Sequence, residues 1–201
     1  MSNASTPIGR ILLKNVRLAF ASGLHEATII PGQESGKPKY NCGLILPPDH
    51  PQKAQIEAIE LAVAKDKWKD KGQAMVTALR KGNKAALHDG DLKPNYDGYP
   101  GNFFLSPSLD EAKGPPTRLA TIDGQNVQLD AATARKKLYS GCYVNASVEL
   151  WAQDNQYGQR INAQLRGVQF WRDGESFGGG AGTADANEFD VTEGADASDF
   201  V

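Results

Sequence analysis

The chain has few of the residues from which metal centres, disulfide frameworks and nucleophilic active sites are usually built. It contains two cysteines and three histidines in 201 residues, and no apolar run approaches membrane-spanning length. The two cysteines are too few and too far apart for a disulfide framework or a zinc site. Cys42 and Cys142 fall on the apolar faces of predicted strands, so we expect buried free thiols. The N-terminus lacks a secretory pattern, and we expect a soluble intracellular protein with no membrane partner.

Basic residues are missing from the end of the chain. The sequence has 22 Lys and Arg against 24 Asp and Glu, a formal net charge of −2. Residues 181–201 contain no Lys or Arg, so residues 1–180 carry about +4. We predict one folded domain, residues 1–177, followed by a glycine hinge and a disordered acidic tail, residues 178–201. The candidate regulatory residues of the tail are Asp185, Glu188, Asp190, Glu193, Asp196, Asp199 and Phe200.

The clearest pattern in the chain is a predicted β-hairpin over residues 141–171. Apolar and polar residues alternate strictly from 141 to 152, which is typical of a strand with one buried face. A turn-rich segment, residues 154–158, precedes a second alternating strand. The phase of this second strand slips at Gly167, which predicts a β-bulge. The residues predicted to point outward are Tyr143, Asn145, Ser147, Glu149, Trp151, Arg160, Asn162, Gln164 and Arg166.

The outward face of this hairpin combines aromatic rings with arginines. Rings stack on bases and guanidinium groups bind phosphates, so the face has the chemistry of a platform for single-stranded nucleic acid. Any single ring has an alternative explanation, because outward aromatics often pack under a loop or helix. The combination of rings, arginines and an acidic tail favours binding.

The remaining segments predict a mostly β domain with an inserted helical region. Residues 8–20 predict a first strand, in which Leu12, Val16, Leu18 and Phe20 point inward. Residues 37–46 predict a second strand with Tyr40 inward and Lys37 and Lys39 outward. A helix begins after the prolines near residue 50, and residues 73–80 predict a second, short one. Short strands are predicted over 102–106 and within 117–129, and a helical turn over 131–138 ends in the basic run of residues 135–137.

One cluster raises an alternative function. His88, Asp89 and Asp91 could serve a metal-dependent DNA-processing enzyme, but the same residues are ordinary turn formers, and no second ligand cluster exists. We therefore predict a non-enzyme without metal or cofactor. A virion or scaffold protein that uses the hairpin for self-assembly is a further alternative. Metal-dependent cleavage of DNA would identify the enzyme, and oligomers without salt-sensitive DNA binding would identify the scaffold protein.

Several segments resemble a family of bacteriophage single-stranded DNA-binding proteins with an OB-like fold. They are residues 87–91, 98–104, 165–170 and 172–175 and, most specifically, the Tyr-Ser-Gly-Cys-Tyr-Val-Asn segment at 139–145. The resemblance covers about residues 12–180 and implies a role in replication or recombination in the cytoplasm of an infected bacterium. It also implies an acidic tail like those of other phage and bacterial single-strand binders. Such tails commonly end in an aromatic residue or a hydrophobic pair; here Phe200 precedes Val201.

The sequence thus predicts a five-stranded OB-like barrel with helices inserted after the second strand. We expect it to bind single-stranded DNA without strong sequence preference, and to bind duplex DNA when the tail is removed. Replication proteins are candidate partners of the tail, and self-association stays open. The candidate DNA-binding residues are Lys37, Lys39, Tyr40, Tyr99, Phe103, Arg135, Lys136, Lys137, Tyr143, Trp151, Arg160, Arg166, Trp171 and Arg172.

Overall fold

The computed structural model of the protein describes residues 7–29 and 36–178. These ranges contain ten β-strands and three α-helices. The strands are β1 (Arg10–Ala19), β2 (Lys39–Asn41), β3 (Gly43–Leu46), β4 (His88–Asp89), β5 (Phe103–Leu105), β6 (Ser108–Asp110), β7 (Thr117–Ile122), β8 (Gln125–Gln128), β9 (Tyr143–Asn155) and β10 (Gly158–Arg172). The helices are α1 (Lys53–Trp68), α2 (Gly72–Lys81) and α3 (Ala131–Lys137).

The strands close into a barrel because a single residue, Cys42, separates β2 from β3. β3 pairs with β1 on one side and β5 on the other, while β2 pairs with β6. β6 lies parallel to β10, β10 pairs with β9, and β9 pairs with β1. The five barrel strands are therefore β1, β2–β3, β5–β6, β9 and β10. This confirms the predicted OB-like barrel with helices inserted after the second strand.

The β9–β10 hairpin supplies much of the barrel interior, as the alternation predicts. Cys142, just before β9, and the inward residues of β9 from Val144 to Leu150 are at most 2% exposed. The predicted bulge is present, because the β9–β10 register shifts between Leu165 and Gly167. Gly167 also allows the β7–β8 hairpin to lie against β10. A Cβ at this position would lie 2.8 Å from the carbonyl oxygen of Thr117.

The predicted phase of the first strand is wrong at both of its ends. Ile11 and Leu13 are buried, whereas Leu12 is 51% exposed. The reason is a register shift between Leu13 and Val16, where Asn15 has a positive φ of 54°. This bulge inverts the alternation, so only the part after it follows the predicted phase. Phe20, predicted inward, leaves the strand in a left-handed backbone conformation and is 39% exposed.

Both cysteines are free and buried, as the sequence predicts. Burial raises the pKa of the Cys42 thiol to about 12 and that of Cys142 to about 11. A thiol with so high a pKa carries almost no thiolate at neutral pH. The two cysteines are therefore apolar core residues.

A buried carboxylate ties the inserted helices to the barrel. Glu60 on α1 is 0% exposed. Its Oε2 accepts hydrogen bonds from Arg80 of α2 at 2.8 and 2.9 Å, and its Oε1 accepts one from the backbone N–H of Leu87 at 2.8 Å. These bonds compensate for removing the charge from water. None of the helices in the described ranges is long and apolar enough to span a membrane.

We expect Glu60→Ala to lower the free energy of unfolding by about 3 kcal/mol, because it leaves Arg80 and the Leu87 N–H without their acceptor. Glu57→Ala on the same helix is the matched control. Glu57 pairs with Lys53 at 2.6 Å on a partly exposed surface, where removing the pair should cost about 0.5 kcal/mol. Urea denaturation measures both values. A loss below 1 kcal/mol for Glu60→Ala would contradict this role.

Candidate nucleic-acid interface

Three barrel strands, β1, β9 and β10, share one outward surface, here called the arginine face. The strand register places Arg17 beside Tyr143 and Tyr143 beside Arg172 at one end. Arg10 and Glu149 lie beside one another farther along the same strands. The arginine face consists of Arg10, Leu12, Arg17, Tyr143, Asn145, Ser147, Glu149, Trp151, Asn162, Gln164, Arg166, Gln169 and Arg172.

Arg17 and Arg172 flank the ring of Tyr143. The guanidinium carbon of Arg172 lies 3.5 Å from the ring centroid and that of Arg17 lies 5.8 Å away. Arg17 also donates hydrogen bonds to the carbonyl oxygens of Gly141 and Glu175, at 3.2 and 2.7 Å. In the described part of the chain neither arginine has a carboxylate within salt-bridge distance. Their positive charges are therefore not neutralised locally.

An open cavity of about 430 Å³ lies beside these two arginines. Its lining includes Arg17, Arg172, Tyr143, Asn15 and Asn102, together with one acidic residue, Asp49. Two cations against one carboxylate leave this concave site a net positive charge, and with its aromatic ring and amides it suits a phosphate with an adjoining base. The side chain of Tyr143 is half-buried, and the Arg172 guanidinium group covers one face of its ring.

The opposite end of the arginine face has a different charge balance. Glu149 Oε2 accepts hydrogen bonds from Arg10 and Arg166, each at 3.2 Å. One carboxylate thus holds two guanidinium groups and leaves one net positive charge. All three side chains are roughly a third exposed. Water weakens such pairs, so a phosphate can compete for the arginines.

Amide side chains join the two ends of the arginine face. Asn145 donates to Gln169 at 2.8 Å, and Gln169 donates to Asn126 of β8 at 2.7 Å. Asn145 also accepts the backbone N–H of Asn15 at 3.0 Å, which fixes the β1 bulge against β9. A second cavity of about 330 Å³ lies over these amides and beside Leu12. The amides bond mainly to one another and keep this surface ordered.

Two of the predicted stacking residues are freely accessible. Trp151 on β9 is 44% exposed and lies on the arginine face opposite Asn162. Trp171 is 57% exposed and sits at a register shift between Phe170 and Arg172. Arg160 is exposed on β10 beyond Trp151, paired with Gln153. These residues extend the arginine face along the hairpin.

Four other predicted residues lie away from the arginine face or have little free surface. Lys39 pairs with Asp110 at 3.4 Å, on the second and third barrel strands. Lys37 is exposed just before β2, and Tyr40 is partly buried against the core. Phe103 also packs on the core, and the Lys53 ammonium lies 4.6 Å from its ring centroid.

Tyr99 has no accessible ring face. It is 1% exposed and packs with Ala19, Ile45 and Phe104 in a second apolar cluster outside the barrel. Burial raises the pKa of its hydroxyl well above the ordinary value. A predicted direct stacking role for Tyr99 is therefore inconsistent with its position, and its ring instead supports neighbouring aromatics.

The basic run at the end of α3 is exposed. Asp130 caps this helix by accepting the backbone N–H groups of Ala132 and Thr133, both at 2.9 Å. Arg135 and Lys136 have exposed side chains, and the Lys137 ammonium lies 5.3 Å from the Phe170 ring. Phe170 belongs to β10, so Lys137 is next to the β9–β10 hairpin.

The residues of the enzyme alternative serve the local turn. The ring of His88 stacks on Phe104 with centroids 5.1 Å apart, and burial lowers the pKa of this histidine. Asp89 accepts the backbone N–H of Asp91 at 3.0 Å, and Asp91 accepts that of Gly101 at 2.7 Å. Within residues 7–29 and 36–178, no three His, Cys, Asp or Glu side chains come together as a possible metal site.

Strand periodicity alone does not identify Arg10 and Arg17 as interface residues. Arg17 falls on the outward side of the predicted strand, but the sequence does not show that it lies beside Tyr143. Arg10 precedes the bulge at Asn15, so the predicted phase turned it inward. The tail residues from Asp185 to Phe200 lie outside the described residues.

Comparisons with known proteins agree with this architecture. A curated relative, putative protein p50 of Acyrthosiphon pisum secondary endosymbiont phage 1, is 41% identical over 184 residues, which cover 90% of this chain and 92% of the relative. The gp2.5 single-stranded DNA-binding protein of bacteriophage T7 has a TM-score of 0.51 at 12% identity, covering 94% of this chain and 98% of that one. At this low identity the T7 protein shows the fold alone.

Two solved structures of one bacteriophage protein are more similar. The single-stranded DNA-binding protein of bacteriophage Enc34 in complex with ssDNA has a TM-score of 0.68 at 27% identity, covering 86% of this chain and 91% of that one. A second structure of the same Enc34 protein has a TM-score of 0.64 at 26% identity, covering 90% of each chain. Residues 9–201 match the family described as the ssDNA-binding protein of Enterobacter phage Enc34, and the chain belongs to that family.

Proposed function

We propose that this protein binds single-stranded DNA with little sequence preference, using the arginine face. The observation that carries the proposal is the charge of that face. Four arginines, Arg10, Arg17, Arg166 and Arg172, share a surface on which Glu149 is the one carboxylate among the described residues. Family membership supports the same function, since one solved structure holds the Enc34 protein in complex with ssDNA.

The arginine face suits a single strand better than a specific duplex site. Guanidinium groups bind phosphates whatever the base, and exposed rings such as Trp151 stack on any base. The amides Asn145 and Gln169 bond to each other and to neighbours, which leaves them few free groups for reading base edges. We therefore assign the protein to coating and protecting single strands during phage replication or recombination, in the cytoplasm of the infected bacterium.

The direct test is a salt-titrated binding assay with oligo-dT and a duplex of equal length. The affinity for the single strand should exceed that for duplex and fall as salt rises, because bound cations are released when phosphates are neutralised. Salt-independent binding, or no binding to oligo-dT at low salt, would contradict the proposal. Shortening of the oligonucleotide with Mg²⁺ would instead favour an enzyme.

Arg172→Gln should weaken binding to oligo-dT and reduce the slope of log K against log salt by about 0.7, the value for one phosphate contact on a single strand. Arg172→Lys keeps the charge and should keep the slope, although it loses the planar stacking on Tyr143. Lys71→Gln on the helical insert is the control and should change neither quantity. An unchanged slope in Arg172→Gln would remove Arg172 from the phosphate path.

Binding of oligo-dT should quench tryptophan fluorescence, and Trp151→Ala should weaken binding about tenfold or more. A stacked base contributes about 1–3 kcal/mol, and Trp151 is 44% exposed on the arginine face. Ile122→Ala, which removes a 50% exposed apolar side chain from the β7–β8 hairpin, is the control. Equal affinity of a folded Trp151→Ala protein and the wild type would show that this ring does not stack on DNA.

The acidic tail is proposed to compete with DNA for the arginines. Residues 181–201 carry six acids and no basic residue. The chain reaches this segment from the arginine face, because the Glu175 carbonyl accepts a hydrogen bond from Arg17 and the Gly178 N–H donates to Asp97 at 2.9 Å. A tethered polyanion has an effective concentration of about a millimolar there. Phe200, the residue before Val201 in this tail, is also the proposed contact for replication proteins.

Deletion of residues 181–201 should tighten DNA binding and reveal or strengthen binding to duplex. The deletion changes the formal charge from −2 to about +4, which strengthens attraction to phosphates. The gain should be largest at low salt, since the screening length falls from about 30 Å at 0.01 M to about 10 Å at 0.1 M. Equal affinities of the full-length and truncated proteins at low salt would exclude this competition.

A further inference from the structure

A lysine lies among four aromatic rings on the outside of the barrel. The Lys93 ammonium is 4.8 Å from the ring centroid of Phe104, 5.0 Å from Tyr99, 5.2 Å from Phe20 and 5.9 Å from Tyr96. Tyr99 and Phe104 are buried, whereas Phe20 is 39% and Tyr96 is 51% exposed. This group, here called the Lys93 cluster, thus has a buried base and an accessible aromatic rim.

The Lys93 cluster covers the outer side of the second and third barrel strands. Its buried rings pack with Ile45 of β3 and Ala19 at the end of β1, and Phe104 itself belongs to β5. The outer face of these two strands is the surface on which OB folds generally bind oligonucleotides. The long connection between the strands therefore places exposed rings where a single strand would pass.

Phe177 connects the Lys93 cluster to the arginine face. Its ring packs against the cluster, and the Arg17 guanidinium carbon lies 4.2 Å from its centroid. Arg17 in turn lies beside Tyr143. The two surfaces are therefore neighbours, and a strand bound at Arg17 and Arg172 can continue over the rim of the Lys93 cluster.

Lys93 has no acidic partner in the described part of the chain. The carboxylates of its own loop are engaged elsewhere: Asp91 accepts the Gly101 N–H and Asp97 accepts the Gly178 N–H. The side chain is half-buried, and this desolvation lowers the pKa of its ammonium. A partly desolvated cation without a counter-ion suits an anionic ligand.

The backbone of Phe20 is a second unusual feature. Its φ of 52° and ψ of 45° lie in the left-handed region, which bulky residues seldom occupy. Such a conformation costs free energy and is often found at binding sites. Here it directs an aromatic ring to the rim, where Phe20 and Tyr96 meet edge to face with centroids 5.3 Å apart. A glycine at this position would avoid the cost but would lose the ring.

We propose that the Lys93 cluster is a nucleotide subsite, in which a DNA base stacks on the exposed ring of Tyr96 or Phe20 and Lys93 binds the adjoining phosphate. The inference rests on the proposed single-strand binding and extends its path beyond the arginine face. The rings attract a planar base, and the ammonium supplies the charge that a phosphate requires.

Three variants in the full-length protein test this subsite with an oligo-dT long enough to span both surfaces. Tyr96→Ala should lower the affinity about fivefold or more, and Tyr96→Phe should retain most of it, because stacking needs the ring alone. Lys93→Gln should lower the affinity and reduce the salt slope by about 0.7. The control is Leu92→Ala, which removes a 50% exposed apolar side chain from the same loop. Thermal unfolding confirms that each variant is folded.

Photo-crosslinking to a bromodeoxyuridine oligonucleotide gives an independent readout that a merely structural cluster would not produce. Peptides containing Phe20 or Tyr96 should carry crosslinks, and these should disappear in Tyr96→Ala if that ring holds the base. Unchanged affinities of folded Tyr96→Ala and Lys93→Gln proteins, without crosslinks to these peptides, would overturn the subsite while Arg172→Gln still weakens binding. Failure of the wild type to bind oligo-dT would instead overturn the proposed function itself.

Discussion

Closure of the barrel at Cys42 is the constraint on which the rest of the structure depends. The short segment of β2 and β3 pairs with β1 through one part and with β6 through the other, so the sheet has no open gap between its first and third barrel strands. The apolar residues of β9 and β10 then face the interior. The residues between them must face outward, and on β1, β9 and β10 this outward side is polar, basic and aromatic. The same alternation of residues thus supplies both the barrel core and the outward interface.

The sequence predicts those parts of the fold that depend on alternation alone. The β9–β10 hairpin, with its bulge near Gly167, follows from residues that alternate without interruption. The first strand could be predicted only after its own bulge, because Asn15 takes a positive φ that ordinary strand periodicity does not anticipate. Tyr99 could not be placed at all, since a long turn-rich loop has no period. Its burial depends on contacts with Ile45 and Ala19, which are distant from it in the chain, as well as with the nearby Phe104.

The basic residues of the protein lie in distinct local environments, which the net charge does not show. On the arginine face, Glu149 restrains Arg10 and Arg166, whereas Arg17 and Arg172 lie against aromatic rings. A ring favours a cation without neutralising it, so these two guanidinium groups remain attractive to phosphate. Lys93 repeats the arrangement with four rings. Contacts with aromatic rings therefore position these basic groups without neutralising their charge, whereas carboxylate partners would neutralise it.

The segment after β10 brings these surfaces together. The ring of Phe177 lies between Arg17 and Gly98. A Cβ at position 98 would lie 2.5 Å from this ring, so glycine is needed there for the ring to fit. The Phe177 N–H donates to the carbonyl of Ser140 at 2.9 Å, which fixes the segment across the barrel just before β9. The last described residues thus form part of the boundary between the arginine face and the Lys93 cluster. Any ligand that bridges the two surfaces must pass over the place from which the acidic residues of the chain continue.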